Sequence, residues 1–216
     1  MILLAVRWYL RYGLSYRDLE ELLAERGIEV DHVTLFRWVQ RSTPILVEAP
    51  SRAATASAAV GSSTRRNGYV SGTWRYVYRA VDHYGHVIDV FVSKKRDALA
   101  ATRFFASAIG VHGPPTEVTT DRAPALARAI SELLPLALHD TTQYANNRVE
   151  ADHGRLKARL RPMRGLKRAS TASMAIRGHA FIQNLRRGHY EFGVEALPGL
   201  HLAAASDELA QVALGV

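Results

Sequence analysis

Two carboxylates stand where metal-ion chemistry could be done. Asp121 closes the short run Glu117-Val118-Thr119-Thr120 and is followed by Arg122-Ala123-Pro124. A carboxylate at the C-terminal end of a strand projects into the crevice where α/β folds place their ligands. Glu150 comes 29 positions later in a stretch of helical periodicity, where Glu150, His153 and Lys157 fall on one face at spacings of three and four. Hard oxygen donors from separate elements suit Mg²⁺, which keeps several of its waters. Two such ions about 4 Å apart activate a water or a 3′-hydroxyl and stabilise the leaving oxygen in phosphodiester chemistry. Lys157 would steer a phosphate as a point charge. His153 is a further candidate ligand, although a lone histidine more often packs or hydrogen-bonds. Two carboxylates among 20 acids are a weak signal by themselves.

The surroundings of Glu150 point to a polyanion. From Arg148 to Arg168 there are eight Lys or Arg against two acids, a local balance of +6. Arg148, Arg155, Lys157, Arg159 and Arg161 are the candidate phosphate contacts in this run. Each phosphate neutralised would release counterions and make binding salt-sensitive. The plainer reading is a solvated helix face. The whole chain of 216 residues carries 28 Lys or Arg against 20 acids, net +8, and that excess favours nucleic acid as partner. Cysteine is absent, which excludes disulfides and Cys-ligated zinc. The opening segment is apolar but broken by Arg7 and Arg11, too short and too charged to span a bilayer. A cytoplasmic, DNA-facing protein without membrane attachment is expected.

The elements that must position these residues follow from periodicity. Leu3, Val6, Tyr9 and Leu10 recur at helical spacing until Gly13. Ser15 and Asp18 form a capping-box pattern for a helix from about Tyr16 to Arg26, with Leu19, Leu22 and Leu23 inward and Gly27 ending it. Asp31 caps a third helix, His32 to Gln40, with Val33, Phe36 and Val39 or Leu35 as its buried set. A short turn between two helices, with Thr34, Arg37 and Gln40 on the exposed side of the second, suits a helix in the major groove. Arg37 and Gln40 would read base edges, and Arg17 and Arg41 would meet phosphates. The same segment also reads as a helical hairpin with a basic solvated face.

Residues 51–68 are small and polar without periodicity, the composition of a flexible linker. From Thr73 the pattern turns strand-like, with Trp74, Tyr76 and Tyr78 in alternation. Val87–Val92 then completes a hairpin across His83-Tyr84-Gly85. Trp8, Trp38 and Trp74 are expected in the core. Asp97 caps a helix to about Ile109, a strand ends at Asp121, and helices follow from Ala123, from near Asn146 and from Met174. The tail beyond Gly188 is alanine-rich and uninformative. Strands followed by alternating strand and helix predict a mixed α/β core.

Taken together these segments resemble a transposase of the IS6 family. The resemblance rests on Ile2–Asp18, on Tyr78-Arg79-Ala80-Val81-Asp82, on Thr119-Thr120-Asp121-Arg122-Ala123-Pro124-Ala125, and above all on Tyr144-Ala145-Asn146-Asn147-Arg148-Val149-Glu150-Ala151-Asp152-His153-Gly154-Arg155-Leu156-Lys157. It implies a helix-turn-helix domain over 1–47 and an RNase H-like DDE catalytic core over 71–200, with a tail over 201–216. It also implies Mg²⁺ or Mn²⁺, two ions, as cofactor, insertion-sequence ends and target DNA as partners, and a homodimer or larger assembly. Asp121 and Glu150 would be the second and third members of the acidic triad. Family members usually carry a few more residues before the position that is Met1 here, so the resemblance implies a shortened start.

The first aspartate of the triad is absent. It normally sits in a Trp-x-Val-Asp-Glu-Thr strand before the Tyr-Arg-Ala-Val-Asp hairpin, and here Val60-Gly61-Ser62-Ser63-Thr64-Arg65-Arg66 takes that place. No Asp or Glu lies between Glu48 and Asp82, and Asp82 is a weak substitute. Regrouping permitted codons from the third base of Val60 spells Trp-Phe-Val-Asp-Glu-Thr, with the aspartate straddling the codons of Ser63 and Thr64. Residues 48–70 are therefore an irregular linker or a frame-shifted segment. Losing the strand would leave an unpaired edge beside residues 73–82 and impair strand transfer. The competing reading is a non-catalytic helix-turn-helix DNA-binding protein.

Overall fold

The computed structural model describes residues 1–48, 59–70, 72–142, 147–160, 168–190, 192–197 and 199–214, with backbone only at 59–69, 147–152 and 212–214. The chain divides into two compact units. One comprises Met1–Ala54, Ala158–Arg164 and Met174–Val216, and the other comprises Thr55–Lys157 and Gly165–Ser173.

The helical unit begins with α1 (Ile2–Arg11), α2 (Tyr16–Ala24) and α3 (His32–Glu48). Ser15 and Asp18 close the expected capping box, with Asp18 N–H donating to Ser15 Oγ (3.1 Å) and Ser15 N–H to Asp18 Oδ2 (2.7 Å). Gly27 takes the left-handed φ of 72° that lets the chain leave α2. The Asp31 carboxylate accepts from Val33 and Thr34 N–H and starts α3. Two expectations change here. Helix α3 runs eight residues past Gln40, through Pro44. Its buried set is Leu35, Val39, Thr43 and Leu46, whereas Val33 is 44% exposed. The stripe at spacings of four, four and three carries the helix onward, because each further turn adds buried surface.

The C-terminal segment, expected as a tail, is built into this unit. Helices α7 (Ala169–Arg186) and α8 (His201–Leu214) supply Phe181, Ile182, Leu185, Leu202, Ala205 and Leu209 to the same core as Leu10, Leu19, Leu23 and Leu35. Gly178 shows how closely α7 lies on α1 and α3. A Cβ there would meet Leu10 Cδ2 at 2.5 Å and Thr43 Cγ2 at 2.8 Å. The apolar positions of α8 lie three and four apart, a signal diluted by alanine on the other faces.

The sheet unit holds β1 (Ala59–Val70), β2 (Thr73–Val81), β3 (Val87–Ser93), α4 (Ala98–His112), β4 (Glu117–Thr120), α5 (Pro124–Leu133), β5 (Leu138–Asp140) and the start of α6 (Asn147–Leu160). The strand order is β3-β2-β1-β4-β5. β1 and β3 run antiparallel to β2, and β4 runs parallel to β1 and β5. This is a mixed α/β, RNase H-like sheet, as the resemblance implied. Tyr78, Ala80 and Val118 pack on one face against Phe104 and Phe105 of α4 and Leu126 and Ile130 of α5.

The linker expectation fails for residues 59–70. They form the central strand, and β2 is flanked on both sides instead of presenting an edge. Backbone N–H and C=O groups pair with neighbours whatever the side chain, so a run without hydrophobic period is still recruited by β2 and β4. Pairing closes the edges of β2, and its side chains are covered on both faces as well. Accordingly Val77, Tyr78, Arg79, Ala80 and Val81 are all buried instead of alternating. Trp74, expected in the core, is 51% exposed at the strand's start.

Candidate active site and nucleic-acid surfaces

Asp121 sits where the sequence placed it, on the first residue after β4. Its Oδ1 accepts from Ala123 N–H (3.2 Å), which fixes the turn into α5. Its Oδ2 accepts from Arg96 Nη2 (3.1 Å). Arg96, Arg122 and Pro124 line a cavity of about 510 Å³ beside it. The β4 end is held by Thr120, buried, whose hydroxyl donates to the Asp121 carbonyl (2.8 Å) and lies 2.8 Å from His139 Nε2 of β5. The carboxylate is thus set at a strand end above a pinned backbone, with a guanidinium already on one oxygen. Behind it, burial followed by the charge of Asp97 pushes the Tyr78 hydroxyl up to about 12, keeping it protonated.

Glu150 lies on α6 in the same unit, its side chain outside the described residues. The expected shared face of α6 divides. His153 is buried alongside Leu156, while Arg155 and Lys157 are exposed. His153 therefore lies on the inward face. Arg159 corrects the basic-run reading more sharply. It belongs to the helical unit, is 6% exposed, donates from Nη2 to the Tyr9 carbonyl and lies 5.1 Å from the Tyr9 ring centre. Burial lowers its pKa from the ordinary guanidinium value, against the pull of Tyr9 and Tyr16. Its guanidinium is turned into the helical core and away from the surface. Arg148 lies on α6 with its side chain outside the described residues, and Arg161 lies outside them altogether.

Asp82, the weak substitute, is engaged in a turn. Its Oδ1 accepts from Tyr84 N–H (2.9 Å) and His86 N–H (2.8 Å), closing the β2–β3 turn. Among the described residues no group of three or more acids or histidines is placed to hold a metal. The two-ion centre implied by the resemblance needs three carboxylates. β4 is laddered to β1, which contains no acid, and to β5, whose Asp140 stands in register with Thr119 with its Oδ1 accepting from Thr142 N–H (2.8 Å); β1, where the resemblance implies the first carboxylate, supplies none, so the donor set does not fit that centre.

On α3, Arg37 and Arg41 are exposed one turn apart, and Arg17 is exposed on α2. Two of the three residues expected on the exposed side of α3 are turned to other work, one of them, Gln40, an expected base reader. The Thr34 hydroxyl donates to Asp31 Oδ2 (2.7 Å) in the cap. Gln40 is half-buried against the Tyr16 hydroxyl, within the stack of Tyr9 on Tyr16 at 4.4 Å. The outward face is instead Val33, Arg37 and Arg41. The sequence reading also passed over Lys94, Lys95 and Arg103, all exposed, which line a cavity of about 390 Å³ between β3 and α4. The consecutive Lys94-Lys95-Arg96 was the signal available for it.

Residues 69–189 match the DDE domain family. The chain is 37% identical over 164 residues to the transposase for insertion sequence-like element IS431mec of Staphylococcus aureus strain Mu50, covering 74% of this chain and 73% of that one. The same identity and coverage hold for the transposase for insertion sequence element IS257 in transposon Tn4003 of Staphylococcus aureus. A remote likeness to the catalytic core domain of BIV integrase has a TM-score of 0.42 at 17% identity, over 59% of this chain and 84% of that one. No helix among the described residues is long and apolar enough to cross a membrane. The DDE match and the transposase relatives agree with the acidic strand end and the sheet order: this chain belongs to the IS6 family of DDE transposases, polynucleotidyl transferases that act on DNA.

Proposed function

We propose that this chain binds the ends of its insertion sequence but cleaves and transfers strands poorly, because its acidic centre holds two carboxylates, Asp121 and Glu150, where three are required. The observation that carries the proposal is the setting of Asp121. The central strand β1 on one side of it has no acid, and its own Oδ2 accepts from Arg96. With two ligands for two divalent ions, Mg²⁺ or Mn²⁺, no strand-transfer step is assigned to the chain as it stands. The helical unit does the recognising. Arg37 and Arg41 meet base edges or phosphates in the major groove, the Val33 methyls suit a thymine methyl, and Arg17 holds the backbone. Arg155 and Lys157, with Arg148 and Arg161, extend the phosphate track, as do Lys94, Lys95 and Arg103. Assembly as a homodimer or larger complex on DNA belongs to the same reading.

Residues from about 50 to 68 are, in this reading, a frame-shifted segment between two compensating changes. Gly61, Ser62, Ser63 and Gly68 are poor central-strand residues, and such a conflict between local preference and global position is uncommon in evolved sequences. The test uses the full chain, a duplex carrying the DNA that flanks its own coding region, and a scrambled duplex. Selective binding without nicking in Mg²⁺ or Mn²⁺ is expected. Robust nicking that Asp121→Asn abolishes would overturn the impairment. The nucleotide sequence across codons 48–70 should read Trp-Phe-Val-Asp-Glu-Thr in the alternate frame. A second reading, a non-catalytic DNA-binding regulator, is favoured by the Arg96–Asp121 ion pair; it is separated by restoring the frame, which would then leave the chain inert.

A further inference from the structure

We infer that Arg159 is a positioning residue for DNA recognition: it caps α1 and holds the Tyr9–Tyr16 stack on which α3 is seated, and so sets the direction of Arg37 and Arg41. The inference rests on the reading of the helical unit as the DNA-recognising one, and names the buried group on which that recognition depends. Arg159 lies near the end of α6, in the segment Ala158–Arg164 of the helical unit. The last carbonyls of a helix have no intrahelical donor, and α1 ends in an extended Tyr12 without a glycine cap. Two residues from later in the chain serve these carbonyls instead. Arg159 Nη2 donates to the Tyr9 carbonyl, and His179 Nδ1 lies 3.2 Å from the Leu10 carbonyl. A cation there also suits the negative end of the helix dipole.

From that cap the contacts run to the recognition helix. The Arg159 guanidinium stands 5.1 Å from the Tyr9 ring centre, Tyr9 stacks nearly parallel on Tyr16 at 4.4 Å, and Tyr16 and Phe36 meet edge to face at 5.6 Å. Gln40 lies one turn beyond Phe36, against the Tyr16 hydroxyl. Phe36 and Gln40 each precede an arginine by one residue. A rotation of α3 about its axis that moved the first pair would therefore swing Arg37 and Arg41 away from the groove. Stability alone does not explain the choice of residue. Burial pushes both tyrosine hydroxyls up and keeps them neutral, and among the described residues Arg159 Nε and Nη1 have no hydrogen-bond partner. A guanidinium taken out of water without a carboxylate carries a desolvation cost that an apolar side chain of similar volume does not. What the guanidinium adds is direction, with a donor fixed on a carbonyl and a flat face turned to a ring.

The experiment measures the affinity of the full chain for a duplex carrying the DNA that flanks its coding region and for a scrambled duplex. Both are titrated at several salt concentrations, with melting temperature recorded on the same preparations. Arg159→Met should weaken binding to the flanking duplex about tenfold, the worth of roughly one good base contact, while binding to the scrambled duplex and the melting temperature hold. Arg159→Lys, which keeps the charge and a donor, should restore most of the selectivity. The salt slope should not change, whereas loss of a direct phosphate contact would weaken both duplexes alike and reduce the slope by about one. Tyr16→Leu, which removes the ring between Arg159 and α3, should lose the same selectivity, and the double variant should lose no more than either single one. Unchanged selectivity in folded Arg159→Met, equal weakening on both duplexes with a reduced slope, or losses that multiply in the double variant overturn the inference. Should Arg159→Met fail to fold, Tyr16→Leu decides by the same ratio. A parent that does not distinguish the two duplexes overturns the DNA-end reading and the inference with it; a selective parent whose variants stay selective overturns the inference alone.

Discussion

The helical unit and the central strand of the sheet are held together by different parts of the chain. Around α2 and α3 the cohesion lies in side chains: Leu19, Leu23 and Leu35 are fully buried in one core with Phe181 and Leu209. In β1 the backbone contributes two ladders, a run rich in Gly, Ser and Thr being paired to β2 on one side and β4 on the other. A region held by side chains loses structure when its residues change. A region held by its backbone can change its residues, and hence its chemistry, while its place in the fold persists. A catalytic carboxylate can be lost from such a strand without unfolding the protein.

Substitutions on the two sides of this contrast should separate it. Leu23→Ala should cost the helical unit about 3–5 kcal/mol by leaving a cavity, read by chemical denaturation. Thr64→Pro should cost the sheet about 3 kcal/mol by removing a ladder donor and straining the strand, whereas Thr64→Ala should cost about 0.5 kcal/mol; equal effects from the two would show that β1 depends on its side chains after all. Ser15→Ala, which opens the capping box of α2, should cost about 1 kcal/mol. The smallest effect is one of pH. The Asp31 carboxyl is held below its ordinary 3.8 by the Thr34 hydroxyl and then by the Thr34 and Val33 amides. A depressed folded pKa gives stability that is present above the unfolded value and is lost as pH falls through the folded one. Helix melts between pH 6 and pH 2 should therefore show a loss below about pH 4 that Asp31→Asn removes.

Local signals were legible in the sequence and long-range ones were not. Ser15 and Asp18, Gly27, Asp31 and Asp97 each act within four residues, and the structure has all of them at work. Asp121 at a strand end was legible for the same reason. The phase of α3 was not, because Val33 and Leu35 both continue an apolar period, and only packing against α1, α7 and α8 settles which is buried. The run from Arg148 to Arg168 gave its charge but not its facing, so Arg159 was counted with the phosphate contacts although it lies under Tyr9. Strand β1 left no trace in hydrophobic pattern, since its pairing partners lie as far off as Thr120. Glu150 was proposed from the same helix that buries His153, and its side chain lies outside the described residues.

The helical unit is assembled from segments far apart in the chain. Its first part ends at Ala54 and its last begins at Met174, so Leu19 and Leu35 emerge from the ribosome long before Phe181, Ile182 and Leu209. At roughly 5–20 residues per second, the intervening segment occupies the order of ten seconds of synthesis. During that interval the first three helices lack the apolar surface of α7 and α8 against which they are to pack. A nascent chain cut short by a premature stop would therefore release an unfinished helix-turn-helix with exposed leucines, a substrate for chaperones and proteases. Only a chain extended through α8 would present Arg37 and Arg41 on a folded support, which couples DNA recognition to translation of that helix.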